Sequence, residues 1–297
     1  MSRACEDSDL PPNRPKQDNM EIHAKDGRPT EASLKASQDL DQKPVSEILE
    51  LIHAQDGAAH AAVGACLPVI EEAVDVLVAS IAGGGRWFNL GAGTSGRLGV
   101  LDASEIPPTY GMSPRIVQAV MAGGERAIRH AVEGAEDDRN AAAFELGERG
   151  LGLGDAVLGI SASGRTPFVL GGIEAAREAG ARTLCITCDP DSELASSVEV
   201  AIVPEVGPEV VTGSTRMKGG LAQKMVLAAL STTVMVKLGR VCGNRMTHVA
   251  PVSNKLRGRA VRIVMDLSGV DFNSARGFLR ETDGCVASAV ERAKRTG

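Results

Sequence analysis

Twice in this sequence a short apolar run ends in a turn of glycines and hydroxyl side chains and passes into helix-forming residues. The first turn is Gly91-Ala92-Gly93-Thr94-Ser95-Gly96-Arg97, after Trp87-Phe88-Asn89-Leu90. The second is Ser161-Ala162-Ser163-Gly164-Arg165-Thr166-Pro167, after Ala156-Val157-Leu158-Gly159-Ile160. A strand that ends this way aims backbone N–H groups and the positive end of the next helix at one spot, which suits a phosphate or another small anion. Serine and threonine hydroxyls add donors there without adding charge. Two such turns in consecutive units point to an α/β fold and make phosphate binding the first functional hypothesis.

The surrounding sequence supplies the rest of such a fold. Strands are expected at 87–90, 115–121, 156–160, 182–188 and 198–202, with helical stretches at 98–103, 127–133, 139–146 and 168–179. Strands alternating with helices make βαβ units, hence a three-layer, doubly wound parallel sheet covered on both faces. Ligands of these sheets bind beyond the carboxyl ends of the strands, where both turns fall. Ahead of the sheet, Val45 opens a helical pattern, and a second helix over Leu67–Ile81 is stopped by Gly83-Gly84-Gly85. Behind the sheet, Glu209–Lys218 leads into a long helix, Leu221–Leu238. Residues 1–29 are rich in Pro, Asp, Asn, Lys and Arg without an apolar period and read as a disordered tail. The main domain is then 30–245, followed by a small helical C-terminal subdomain over 246–297 with a break at Ser268-Gly269-Val270-Asp271.

Composition removes several functions. Aromatics make up 2% and the net charge is −6, which argues against base-stacking and phosphate-backbone surfaces, so no nucleic-acid partner is expected. Six cysteines in 297 residues do not make a disulfide scaffold. Cys185 and Cys188 have the spacing of redox and metal pairs but fall within an expected strand, where they face opposite sides and read as buried thiols. The start of the chain lacks the apolar segment of a signal peptide, and the apolar stretch Met225–Val236 is too short to span a bilayer. A cytoplasmic protein without a membrane partner is expected.

Gly91-x-Gly93-x-x-Gly96 formally matches the dinucleotide fingerprint, yet the next strand ends in Val120-Met121-Ala122 with no acid there to hold a ribose. His130, Glu133 and Asp137 have a spacing compatible with a metal on one helix face, but Gly134 interrupts that face, and no metal is assigned. Two acidic features remain. Glu105 precedes Pro107 and Pro108, which would hold it on a stiff loop, the alternative being a solvated glutamate at a helix end. The cluster Glu133–Asp138 provides either a helix cap or a general base.

The run Gly91–Glu105 as a whole resembles the N-acetylmuramic acid 6-phosphate etherases, as do Ala131-Val132-Glu133-Gly134-Ala135-Glu136-Asp137 and Ser161–Pro167. Gly207–Lys218 is similar to a signature that this family shares with the glucokinase regulatory proteins. The likeness extends from about Thr30 to about Arg280, with Asn89 standing where many relatives carry an aromatic residue. It implies the sugar isomerase (SIS) fold, a sugar-phosphate substrate, and a homodimer with residues of both subunits near each site. It also implies a reaction without metal or organic cofactor. The implied reaction cleaves the lactyl ether of N-acetylmuramic acid 6-phosphate to N-acetylglucosamine 6-phosphate and D-lactate, in recycling of cell-wall sugars.

By resemblance Glu105 and Glu136 are the catalytic carboxylates: Glu105 the proton donor to departing lactate, Glu136 the base at C2. Thr94, Ser95, Ser161, Ser163 and Thr166 are the expected phosphate ligands. Ser214, Thr215 and Lys218 either line the same cleft or only cap a helix, and Arg165 either pairs with phosphate or faces solvent. Two other readings stand beside this one: a non-catalytic sugar-phosphate sensor and an aldose–ketose isomerase, which would need one carboxylate base and no acid for a leaving lactate.

Overall fold

The computed structural model describes residues 28–249 and 254–296. Two helices, α1 (Val45–Ala65) and α2 (Leu67–Ala82), precede the sheet. The α/β series then runs β1 (Trp87–Gly91), α3 (Gly93–Tyr110), β2 (Val117–Met121), α4 (Gly124–Arg129), α5 (Arg139–Glu148) and β3 (Ala156–Ile160). It continues through α6 (Pro167–Glu178), β4 (Arg182–Ile186), the single turn α7 (Glu193–Ser196), β5 (Val200–Ile202) and the long α8 (Lys218–Lys237). Three helices close the chain: α9 (Asn254–Ser268), α10 (Phe272–Glu281) and α11 (Val286–Thr296).

All five strands are parallel, in the order β2-β1-β3-β4-β5. The chain leaves β1 for the edge strand β2 and returns to β3 on the other side of β1, so the strand order reverses between β1 and β3. That reversal opens a crevice beyond the carboxyl ends of β1 and β3, the usual ligand position in open α/β sheets.

Residues alternate across the strands and build two cores. Trp87, Leu158, Ile160, Leu184 and Ile186 pack with Ile70, Leu77, Val226 and Leu230 on the face covered by α2 and α8. Phe88, Leu90, Val157 and Cys185 pack with Leu146, Phe168, Val169 and Ile173 on the face covered by α5 and α6. Cys188 belongs to the first of these cores, so the two close cysteines do sit on opposite faces; burial pushes both thiols up to about 12. Arg86 and Asp155 pin the starts of β1 and β3 together, through the Arg86 backbone N–H (2.8 Å) and a forked pair to guanidinium Nε and Nη2 (3.2 and 2.6 Å).

A third core, with Val264, Ala275, Val286 and Ala289 among its buried residues, holds α9, α10 and α11 together. The break at 268–271 ends α9, and the Asp271 carboxylate caps α10 by accepting from Asn273 N and Ser274 N. Helix α8 runs longer than its apolar stretch: at 20 residues it reaches the length and hydropathy of a membrane-spanning helix, but Ala222, Val226, Leu227, Leu230 and Val234 are fully buried in the first core.

Candidate functional site

The crevice between β1 and β3 is lined by both glycine turns. Where β1 meets α3 the backbone of Gly91 passes so close to Gly96 that a Cβ on either would fall within 3 Å of the other's backbone. Only glycine permits that approach, and it seats the first turn of α3, with Thr94 and Ser95 half-buried, directly at the strand end. After β3, Gly164 takes φ +62° and packs against the Ser192 and Thr187 side chains, where any Cβ would collide. The turn this allows folds onto Ser161. The buried Ser161 hydroxyl accepts from Gly164 N–H (3.1 Å) and shares hydrogen bonds with Thr166 Oγ1 (2.9 Å) and Ser163 Oγ (3.4 Å).

Between these turns lies a cleft of about 330 Å³. Thr94, Ser95, Ser161, Ser163 and Thr166 all line it, so the five expected phosphate ligands converge. Glu136 joins them from a single 3-10 turn, Ala135–Asp137, placed by Gly134 at φ +74°. The acidic cluster divides its work: Glu136 faces the cleft while the Asp138 carboxylate caps α5, accepting from Asn140 N and Ala141 N. His130, Glu133 and Asp137 do not share a helix face, because α4 stops at Arg129 and Gly134 turns the chain. Among the described residues no group of three or more His, Cys, Asp and Glu stands where it could hold a metal.

Glu105 is placed differently. Pro107 and Pro108 lie inside α3, which continues to Tyr110, so the residue rides on a helix and not on the expected stiff loop. It is ten residues beyond Ser95, a rise of about 15 Å along the axis, and it does not line the cleft. Leu101, Ser104, Glu105 and Pro108 are all exposed, spaced as one stripe along α3.

Ser214 is half-buried outside the cleft, whereas its neighbours Gly213 and Thr215 line it. Lys218 is also absent from the lining. It is buried, with Nζ donating to Gln55 Oε1 (2.6 Å); burial pulls its ammonium below the ordinary lysine value, opposed by the Glu209 carboxylate. Glu209 caps α8 through Lys218 N (3.0 Å) and Gly219 N (2.9 Å). Arg165 does line the cleft, with Nη2 3.4 Å from the buried Asp189 carboxylate.

Three contributors had no sequence signal. Arg28, Thr30 and Glu31 form one wall of the cleft. Of the expected tail, residues 1–27 lie outside the described residues, while Arg28 is part of that wall and Pro29 opens a 3-10 turn through Glu31.

Comparison with known proteins bears on the fold and the family. Residues 69–177 match the family described as the glucokinase regulatory protein N-terminal SIS domain, and residues 150–233 match the SIS domain family. Among solved structures, a phosphoheptose isomerase from Francisella tularensis is similar with a TM-score of 0.51 at 18% identity, covering 67% of this chain and 99% of that one. The E. coli CFT073 protein c3406 is similar with a TM-score of 0.50 at 19% identity, covering 68% and 97%. The fold is therefore the SIS fold. The N-acetylmuramic acid 6-phosphate etherase of Escherichia coli O81 (strain ED1a) is 50% identical over 250 residues, 84% of each chain. The protein of the same name from Shigella dysenteriae serotype 1 (strain Sd197) gives the same identity and coverage. The chain belongs to the N-acetylmuramic acid 6-phosphate etherase family.

Proposed function

We propose that this protein is a lyase that cleaves the D-lactyl ether of N-acetylmuramic acid 6-phosphate, yielding N-acetylglucosamine 6-phosphate and D-lactate. One observation carries the reading beyond family membership: five hydroxyl side chains from two turns and the Glu136 carboxylate share one cleft at the point where the strand order reverses. The hydroxyls suit a sugar phosphate, and the carboxylate suits proton abstraction from the same molecule.

The chemistry follows from the substrate. Opening the sugar ring exposes the C1 aldehyde, which acidifies the C2 proton. Glu136 takes that proton, and the electron pair expels lactate from C3 with a proton supplied by Glu105. Water then adds at C3 by the reverse steps, with Glu105 as base and Glu136 returning the proton to C2. The phosphate grip fixes C2 and C3 against the two carboxylates, so that reaction occurs within one held geometry. Ser214 and Lys218 act in this reading as support behind the cleft wall.

Glu105 lies in the far part of α3 and does not line the cleft of its own chain. That placement supports a reading in which Glu105 serves a second subunit's cleft and the enzyme works as a homodimer. The exposed stripe around Glu105, with Leu101 44% exposed and Pro108 on the same face, supports a subunit contact there. We place the enzyme in the cytoplasm, in recycling of cell-wall amino sugars, with no metal or organic cofactor.

The test is release of D-lactate from N-acetylmuramic acid 6-phosphate by purified protein in the presence of a chelator. Release is expected. A folded protein that binds the sugar phosphate without releasing lactate would instead be a sensor, and one that forms ketose phosphates from hexose phosphates would be an isomerase.

A further inference from the structure

The two turns obtain their hydroxyl orientation from different places. Ser161, Ser163 and Thr166 bond among themselves, but Ser95 reaches across to α8, where its Oγ–H donates to Gln223 Oε1 at 3.0 Å. Gln223 is 1% exposed, and its Nε2 is buried without a hydrogen-bond partner among the described residues. It is a polar residue set within the buried face of a helix whose first turn rests on both anion turns. A Cβ on Gly219 would touch Ala162 and one on Gly220 would touch Thr94, each at 3.4 Å.

A hydroxyl has one proton. While Ser95 gives that proton to Gln223, it faces the cleft only as an acceptor, and a phosphate dianion offers only acceptors in return. Half a turn of the Gln223 amide about its last bond exchanges Oε1 and Nε2 with almost no change of shape. Nε2–H then donates to Ser95 Oγ, Oε1 takes the unpartnered position instead, and the Ser95 proton is released toward the cleft.

We propose that Gln223 is a positioning residue for anion recognition, whose amide switches from accepting to donating and so commits the Ser95 proton to the bound phosphate. The inference rests on the reading of the hydroxyl turns as a phosphate cradle. Gln223 touches no reacting atom, so its removal weakens binding and leaves turnover alone.

The experiment combines steady-state D-lactate release from N-acetylmuramic acid 6-phosphate with thermal melts in inorganic phosphate, on the full chain. Gln223→Met keeps the shape and removes both amide groups. It should raise KM about tenfold, the cost of one hydrogen bond, with kcat within about twofold. It should also reduce the upward shift of Tm that phosphate gives the wild type. The pair Ser95→Ala and Gln223→Met should be no worse together than Ser95→Ala alone. Gln223→Glu preserves size and the bond from Ser95 but can only accept when ionised, so it should raise KM further than Gln223→Met. This second variant decides the matter if the first does not fold. Unchanged KM and phosphate protection in these variants, or losses that multiply in the double variant, would overturn the proposal. A wild type that melts higher in phosphate yet releases no lactate would instead overturn the etherase reading and leave the phosphate arm of the test valid for Gln223.

Discussion

The helices that leave the two anion turns, α3 and α6, begin alike and are built differently. Helix α6 buries Phe168, Val169, Leu170 and Ile173 against the sheet and α5, a seam of apolar side chains with its hydroxyl network complete within the preceding turn. Helix α3 buries Ala103 and Ile106 in the core it shares with α8 but adds polar pairs across that seam: Ser95 on Gln223, and Ser231 Oγ donating to the buried Asp102 Oδ1 at 2.9 Å. Nearby, Asn89 donates from Nδ2 to the Gly99 carbonyl at 3.2 Å. Each of these three seams leaves an atom orphaned, namely Gln223 Nε2, Asp102 Oδ2 and Asn89 Oδ1. Unpaired buried polar atoms cost stability, so the α3 side is the costlier of the two to assemble. Glu105 belongs to the second kind of helix.

The contrast can be broken by substitution. Phe168→Ala should destabilise the fold by about 3–5 kcal/mol in denaturant melts, the usual cost of emptying a fully buried aromatic site. Glu105→Gln should do the opposite: it should lower kcat by roughly 10²–10⁴-fold while leaving sugar-phosphate binding and Tm unchanged, since glutamine keeps the size of the side chain. A large loss of stability in Glu105→Gln, or none in Phe168→Ala, would contradict the division. Ser161→Ala removes the hub of the second turn and should both raise KM and lower stability by about 1–3 kcal/mol, because Thr166 loses this partner and Gly164 N–H keeps only the Ser161 carbonyl.

A pH-dependent effect concerns Asp102. Burial raises its carboxyl to about 6, against weaker lowering by the Ser231 hydrogen bond and the Lys224 charge. The folded value lies above the unfolded one, so the folded chain binds this proton more tightly, and Asp102 weakens the fold once it ionises. That penalty is present above about pH 6 and is relieved as pH falls toward the ordinary value of 3.8. Asp102→Asn should therefore be more stable than the wild type at neutral pH, with the difference shrinking between about pH 6 and 4 in paired thermal melts. A difference constant across that range would show that Asp102 does not titrate there.

Much of this is legible in the sequence. Strand β3 lies where expected at 156–160, and both turns sit at strand ends, because an apolar run that stops at glycine leaves little choice. Helix α3 extends beyond its sequence pattern at both ends: Gly93, Thr94, Pro107 and Pro108 weaken local helix propensity, and packing on β1, β2 and α8 overrides it. The segment around His130 departs from its pattern for a related reason, since a helix can be written through Gly134 on paper but the chain turns there at positive φ. Convergence of the hydroxyls with Glu136 follows from the motifs. The distance of Glu105 from them does not, because it depends on the direction α3 takes away from the cleft. Gln223 carries a usable signal, a polar residue within the apolar run of α8, whereas Arg28 and Thr30 carry none.

The most direct measurement mixes two inactive variants, Glu105→Gln and Glu136→Gln, and follows D-lactate release after subunit exchange. If each cleft takes Glu136 from its own chain and Glu105 from its partner, every mixed dimer contains one intact site, and an equal mixture recovers about a quarter of wild-type activity. No recovery from subunits shown to exchange would contradict a cleft completed by the partner. Recovery of lactate release establishes the reaction and the shared site together.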